Sequence, residues 1–267
     1  MGECFICMEE GGVPAELFCA CRSKFAHVRC LVRCTKERAA RRHALDARAE
    51  AWSMCGVCMQ PFRGGVHRLL AEEWVANAAA GSVERTLARN RLTIALIERG
   101  GYARAVSVLR ALLAESVRLH GAEHHVTLTT AGNLALALSR NDELEPAERI
   151  QRELLSVRER LCGPMHPATL IVQGNLAATL MRRGKLEESE EMERRVYAGR
   201  AATNGAESSG TLVSAGNLAL VLSMRGKRAE AAGLMLATYR VQRRVLGREH
   251  SDTRATRASL RAMIASW

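Results

Sequence analysis

Eight residues able to bind a soft metal stand within the first 58 positions, in four close pairs: Cys4-x2-Cys7, Cys19-x-Cys21, His27-x2-Cys30 and Cys55-x2-Cys58. Zn2+ takes four thiolate or imidazole ligands in a tetrahedron, and one tight turn supplies two of them when they lie two or three residues apart. Four pairs make two closed sites, seven cysteines and His27 in all, with no coordination position left for a substrate. Two zinc ions are therefore expected, and the role expected of them is structural. Cys34 and Cys162 complete the nine cysteines and stand outside this set. Buried or disulfide-bonded cysteines account less well for the pattern, because the pairs recur and a histidine falls at a ligand position.

Composition points the same way. Of 267 residues, 48% are apolar and only 4% aromatic. Met1-Gly2-Glu3 is polar and runs directly into the ligand pairs, so no secretory signal is expected. Thiolates kept for a metal predict a reducing compartment, the cytoplasm or the nucleus. No apolar run approaches the roughly 20 residues that a membrane-spanning helix needs. The net charge of +11 and pI of about 9.7 would suit an acidic partner. Most of that charge is spread as single arginines, however, and is dense only over residues 36–48. Aromatic residues are too few to stack bases, which argues against nucleic acid. No nucleophile–base pair and no phosphate-cradling glycine loop is present, which argues against a hydrolase or an oxidoreductase.

The ligand order of four cysteines, one histidine and three cysteines resembles that of the RING-CH family, and PHD fingers use the same order. The one-residue gap in Cys19-Ala20-Cys21 looks like RING-CH, as do the stretch His27-Val28-Arg29-Cys30-Leu31, a helical insert from about Leu31 to Ala51, and Trp52 ahead of Cys55. The short gap from Cys21 to His27 is closer to a PHD finger, and with it a chromatin reader stays open. Either resemblance implies a cross-brace, in which Cys4, Cys7, His27 and Cys30 hold one zinc and Cys19, Cys21, Cys55 and Cys58 the other. Each structural zinc contributes an apparent ~10–16 kcal/mol, so the metal substitutes for a core that about sixty residues cannot supply. RING-CH further implies recruitment of a ubiquitin-conjugating enzyme, through positions matched here by Ile6 and Trp52. Gly56 and Met59 depart from residues common in RING domains at those places, which weakens the implied ligase activity.

The elements behind this module are of another kind. From about Ser82 the chain repeats every 42 residues: Arg91, Asn133, Asn175, Asn217 and Ser259 are equally spaced, each followed by Leu. Gly121, Gly163, Gly205 and Gly247 keep the interval, as do Thr127, Thr169, Thr211 and Thr253. A fixed period of this kind predicts a solenoid, in which each unit buries its apolar face against its neighbours. Each unit reads as two helices, Thr169 to Arg182 and then Leu186 to Ala198 in the third, broken at Gly184 and restarted at Pro167. Small residues fall where paired helices must approach: Ala135, Ala177 and Ala219 on the first helices, and Ala105, Ala147, Ser189 and Ala231 on the second.

The strings Gly-Asn-Leu-Ala (Gly132 to Ala135, Gly216 to Ala219), Arg-Gly-Lys (Arg183 to Lys185, Arg225 to Lys227) and Leu246 to Thr253 resemble the long tetratricopeptide (TPR) repeats of kinesin light chains and nephrocystin-type proteins. The resemblance implies a right-handed α-solenoid whose first helices line a peptide-binding groove. It places Asn133, Asn175 and Asn217 there, with Arg91 in the same slot of the first unit and Arg140 and Arg182 two turns along. Asn offers a donor and an acceptor to a peptide backbone, and Arg would select acidic side chains. An Asn ladder that only bonds neighbouring helices is the alternative.

The chain is thus expected to be mostly α: a cross-braced two-zinc module over 1–66, a connecting helix over 67–81, and four repeat units with a closing helix over 82–267. Leu69, Leu70, Trp74 and Val75 form the stripe by which the connecting helix would dock, with Gly64-Gly65 as hinge and Gly81-Ser82 as cap. The function expected is a ubiquitin-ligase-like adaptor whose groove holds an acidic or extended peptide. A non-catalytic interaction scaffold is the other class.

Overall fold

The computed structural model describes residues 28–42, 44, 51–52 and 64–265. The ligands Cys4, Cys7, Cys19, Cys21, His27, Cys55 and Cys58, and Ile6, lie outside these residues. Eleven helices run through the described part: α1 (Val28–Ala40), α2 (Gly64–Asn77), α3 (Val83–Glu98), α4 (Tyr102–His120), α5 (His125–Arg140), α6 (Leu144–Cys162), α7 (Pro167–Arg182), α8 (Leu186–Asn204), α9 (Ser209–Met224), α10 (Arg228–Val245) and α11 (Ser251–Ala265). Among the described residues there is no strand, and no helix is long and apolar enough to cross a membrane. The chain divides into two units, Met1–Asn141 and Asp142–Trp267.

The 42-residue recurrences have local causes. Gly121, Gly163, Gly205 and Gly247 end or follow the second helices at φ of 85–90°, a backbone that a Cβ resists. Three of the recurrent threonines tie the next helix back to this corner: Thr127 Oγ1 donates to Ser116 O, Thr169 Oγ1 to Gly163 O (2.8 Å) and Thr211 Oγ1 to Gly205 O (2.9 Å). First helices start on a side-chain cap at the same interval. Nδ1 of His124, His166 and His250 accepts the N–H two residues on, and Ser208 caps α9 in their stead. The small residues expected at helix contacts are fully buried without exception, and Ser189 Oγ donates to Ala177 O at 2.8 Å.

In the first unit, α2 docks on α3, and α3, α4 and α5 pack on one another. The buried face of α2 is Val66, His67, Leu70, Ala71, Trp74 and Ala78. Leu69 and Val75, expected in that stripe, are half-exposed; the helix turns the 66/70/74/78 row inward instead. Gly64 and Gly65 lie in the first turn of α2, so helix stands where a hinge was expected. Ser82 caps α3 as expected, accepting from Arg85 N–H, with Gly81 at φ 72°. Polar bonds fasten the joint: Trp74 Nε1 donates to Glu84 Oε1 (3.0 Å), Arg85 Nη1 to the carbonyls of Val75 and Ala78, and His67 Nδ1 meets Glu98 Oε2 at 3.1 Å.

In the second unit, helices α6 to α11 each pack on the next, and α7 also touches α9. Leu218, Ala219, Leu222, Ala231 and Met235 form a core between α9 and α10, against which Leu260 and Met263 of the closing helix lie.

Candidate functional site

Each first helix of the second unit turns one row of residues outward, at spacing i, i+4, i+7 and i+11. On α7 the row is Ile171, Asn175, Ala178 and Arg182; on α9 it is Val213, Asn217, Leu220 and Met224. Most other apolar side chains of these helices are buried, Leu170, Leu176, Leu180, Leu218 and Leu222 at 3% exposure or less. The outward row keeps about half of each side chain in water: Ile171 54%, Val213 57%, Leu220 48% and Met224 52%. Apolar area is thus left in water at one register of two adjacent helices. Asn175 and Asn217 stand at the middle of it.

The asparagines are not equivalent. Asn133, in the first unit, is committed inside the fold: its Nδ2 donates to Asn90 Oδ1 at 2.9 Å, while Asn90 Nδ2 donates to Thr130 Oγ1 at 2.8 Å and to Thr86 O. There the ladder bonds neighbouring helices. Asn217 is exposed and reaches back to Glu193 of α8. Glu193 is only 2% exposed and its Oε2 has no hydrogen-bond partner. Burial pushes its carboxyl up to about 7, against the opposing pull of Arg200 and the bond with Asn217. Arg200 itself donates to Gly210 O (3.1 Å) and Ser214 Oγ (2.8 Å).

One turn earlier on α8, Glu190 is as deeply buried and behaves oppositely. Arg194 Nε, Arg225 Nη1 and Lys227 Nζ donate to it at 3.0, 2.5 and 2.8 Å. Forty-two residues before, Glu148 receives Arg152, Arg183 and Lys185. Burial raises both carboxyls, but the three cations outweigh it and hold each at about 2. The Arg-Gly-Lys strings are thus the cationic half of a latch: each turn between two helices of one repeat clasps the buried glutamate of the repeat before. Sequence reading found the strings but not their partners. The recurrence of Glu148 and Glu190, with Arg152 and Arg194 four residues on, was the available signal.

The arginines expected to select acidic side chains divide. Arg182 pairs with Asp142 at 3.0 Å. Arg91 is half-buried, burial pushes its guanidinium down, and Glu98 partly restores it. Arg140 is exposed. Trp52, expected to meet a conjugating enzyme, is 4% exposed and stacks on Trp74, ring centres 6.4 Å apart and planes 9° from parallel. The backbone of Cys30 falls in the first turn of α1 and half-buried Cys34 one turn on; the rest of the ligand set is outside the described residues. Among the described residues no group of histidine, cysteine and carboxylate side chains could hold a metal.

Two tetratricopeptide-repeat models match the sequence, over residues 127–168 and 168–244. No curated protein matches it. Among solved structures, the nearly identical TPR-like repeats of a Podosopora anserina protein described as a kinesin light chain superpose with a TM-score of 0.56 at 20% identity, covering 82% of this chain and 96% of that one. BtubC (BKLC) from P. vanneervenii gives 0.63 at 16% identity, over 74% of this chain and 81% of that one. At such identities the likeness is one of fold. Residues 127–244 are tetratricopeptide repeats, and they carry the fold of kinesin-light-chain-type arrays.

Proposed function

We propose that this protein is an interaction scaffold that takes a partner's peptide segment on the first-helix face of α7 and α9. The observation that carries this is the outward row of Ile171, Val213, Leu220 and Met224 around Asn175 and Asn217. The apolar side chains offer burial, and the amides offer bonds to a peptide backbone. With Arg182 already paired to Asp142, an extended segment with apolar side chains suits this face better than an acidic one. Peptides selected from a random library on the full chain test the reading. They should be rich in apolar residues and should lose binding in Leu220→Asp and Asn175→Ala. Selected peptides that bind these variants unchanged contradict it.

The front of the chain has a second role in this scheme. The donor set of seven thiolates and one imidazole fits two tetrahedral zincs, held by Cys4, Cys7, His27 and Cys30 and by Cys19, Cys21, Cys55 and Cys58 in the RING-CH manner. The ions would brace the fold there. The sharper version, a ligase-like adaptor, rests on this ligand order. Its recruiting surface would fall to Ile6, because the ring of Trp52 is buried against Trp74. Metal analysis of the purified chain should find two zinc ions per molecule. Autoubiquitination with a panel of conjugating enzymes, lost in Ile6→Ala, supports the adaptor; no chains with any of them leaves only the scaffold.

A further inference from the structure

We propose that Glu193 is a proton-controlled switch that decides whether Asn217 offers the first-helix face a hydrogen-bond donor or an acceptor. The idea that the outward end of Asn217 meets a ligand rests on the function proposed above; the switch itself does not.

The geometry is that of a carboxyl with one bond made and one missing. Glu193 is buried between α8 and α9, is bonded to Asn217, and keeps Oε2 unpartnered. Asn217 stands at the surface, so one end of its amide points to Glu193 while the other is presented outward. An ionised carboxylate only accepts. It therefore draws an N–H of Asn217 inward and leaves Oδ1 on the face, ready for a peptide N–H. When a proton from solvent settles on Glu193, its O–H donates and needs an acceptor. Asn217 Oδ1 is within reach after a half-turn of the amide, which costs little because the two ends are nearly the same shape. The amide N–H groups then face outward, ready for a peptide carbonyl. One proton is taken up from solvent as one O–H bond on Glu193, and no other covalent bond changes.

The surroundings permit this titration. Helix α9 carries no ionisable side chain, and α7 carries only Arg182, which pairs with Asp142. On α8, Glu190 is occupied by Arg194, Arg225 and Lys227, and Arg194 also holds Glu230 of α10. Arg200 faces Glu193, yet its Nη1 donates to Gly210 O and Ser214 Oγ. Oε2 of Glu193 has no hydrogen-bond partner, and burial moves the carboxyl to about 7 against the pull of Arg200. The same two registers 42 residues earlier hold neutral side chains. Gln151 occupies the Glu193 register, buried with an unpartnered Oε1, and Asn175 occupies that of Asn217. That pair cannot titrate.

The test uses the full chain labelled with 15N-asparagine and 13C-carboxyl glutamate. The side-chain amide of Asn217, identified by its loss in Asn217→Ser, should shift with a midpoint within a unit of 7 between about pH 5 and about pH 9. The Asn175 amide should stay flat, and the Asn217 amide should become flat in Glu193→Gln. An Asn217 amide that does not move, or that moves equally in Glu193→Gln, overturns the proposal. If that variant fails to fold, the Glu193 carboxyl resonance of the unmodified protein decides, and a midpoint in the ordinary carboxylate range overturns it. A library-selected peptide should change its affinity about fivefold across the same range, an effect lost in Glu193→Gln, since one hydrogen bond is at stake. Absence of any selectable peptide counts against the binding face and leaves the resonance test standing.

Discussion

The first and second units share a 42-residue period but fasten their helices by different means. In the first, the buried joints are aromatic or amide-bonded, Trp52 on Trp74 and the Asn90–Thr130–Asn133 network, with Trp74 tied to Glu84 through its indole N–H and the Arg89–Glu115 pair left half-exposed. In the second, two buried glutamates, Glu148 of α6 and Glu190 of α8, are each clasped by three cations, two of them from the turn of the following repeat. The period supplies helix spacing, and the side chains at a few registers decide whether a joint is apolar, amide-bonded or ionic. The same freedom makes one asparagine of the ladder structural and another available. Asn133 is used up inside the first unit, whereas Asn217 stands out from the second.

Substitutions can probe each kind of joint separately. Trp74→Ala removes the indole that Trp52 stacks on and should cost about 3–5 kcal/mol in denaturant unfolding of the full chain. A value under about 1 kcal/mol would mean that the stack contributes little to the first unit. In the second unit, Glu190→Ala removes the acceptor that three partly exposed cations share, of which Arg194 keeps Glu230 and Arg225 keeps Glu187, and should cost about 2–3 kcal/mol at neutral pH. Its carboxyl lies at about 2 in the fold, below the ordinary value. The latch therefore contributes fully above about pH 5 and fades as pH falls toward 2, where variant and parent should converge. Glu193→Gln runs the other way. A carboxyl raised to about 7 destabilises the fold when ionised, so the parent loses stability between about pH 4.5 and 7. The variant should be more stable by roughly 2 kcal/mol at pH 8 and equal to the parent near pH 4.5. Two buried glutamates one helical turn apart should thus give substitutions of opposite sign. The smallest effect is at Asp142, which takes a left-handed φ of 67° where the other repeats place glycine. Asp142→Gly should gain about 0.5 kcal/mol from relieved strain, offset in part by the lost pair with Arg182.

Much of this was legible in the residues. The 42-residue spacing gave the helix pairs, and the recurrent glycines, threonines and small residues fell at corners and contacts, because each satisfies a local geometric need. The proline at the start of α7 and the serine cap at α3 were readable for the same reason. What a single sequence hides is register between helices far apart in the chain. Arg183 lies 35 residues from Glu148, and Glu193 lies 24 from Asn217; nothing local pairs them. Likewise Trp52 is an aromatic residue near ligand pairs until Trp74 covers it, and Arg182 is one arginine among many until Asp142 is placed beside it. Nor does a histidine at a repeat start mark itself as a cap, since it is the backbone geometry that brings an N–H to its Nδ1.

The central claim, that the outward row on α7 and α9 is a binding face, is tested most directly by affinity. Peptides selected on the full chain should bind Leu220→Asp at least about tenfold more weakly than the parent, since an apolar contact is lost and a carboxylate must be desolvated. Arg195→Asp, an exposed substitution on α8, should bind as the parent does. Equal affinity for the parent and Leu220→Asp would contradict the account.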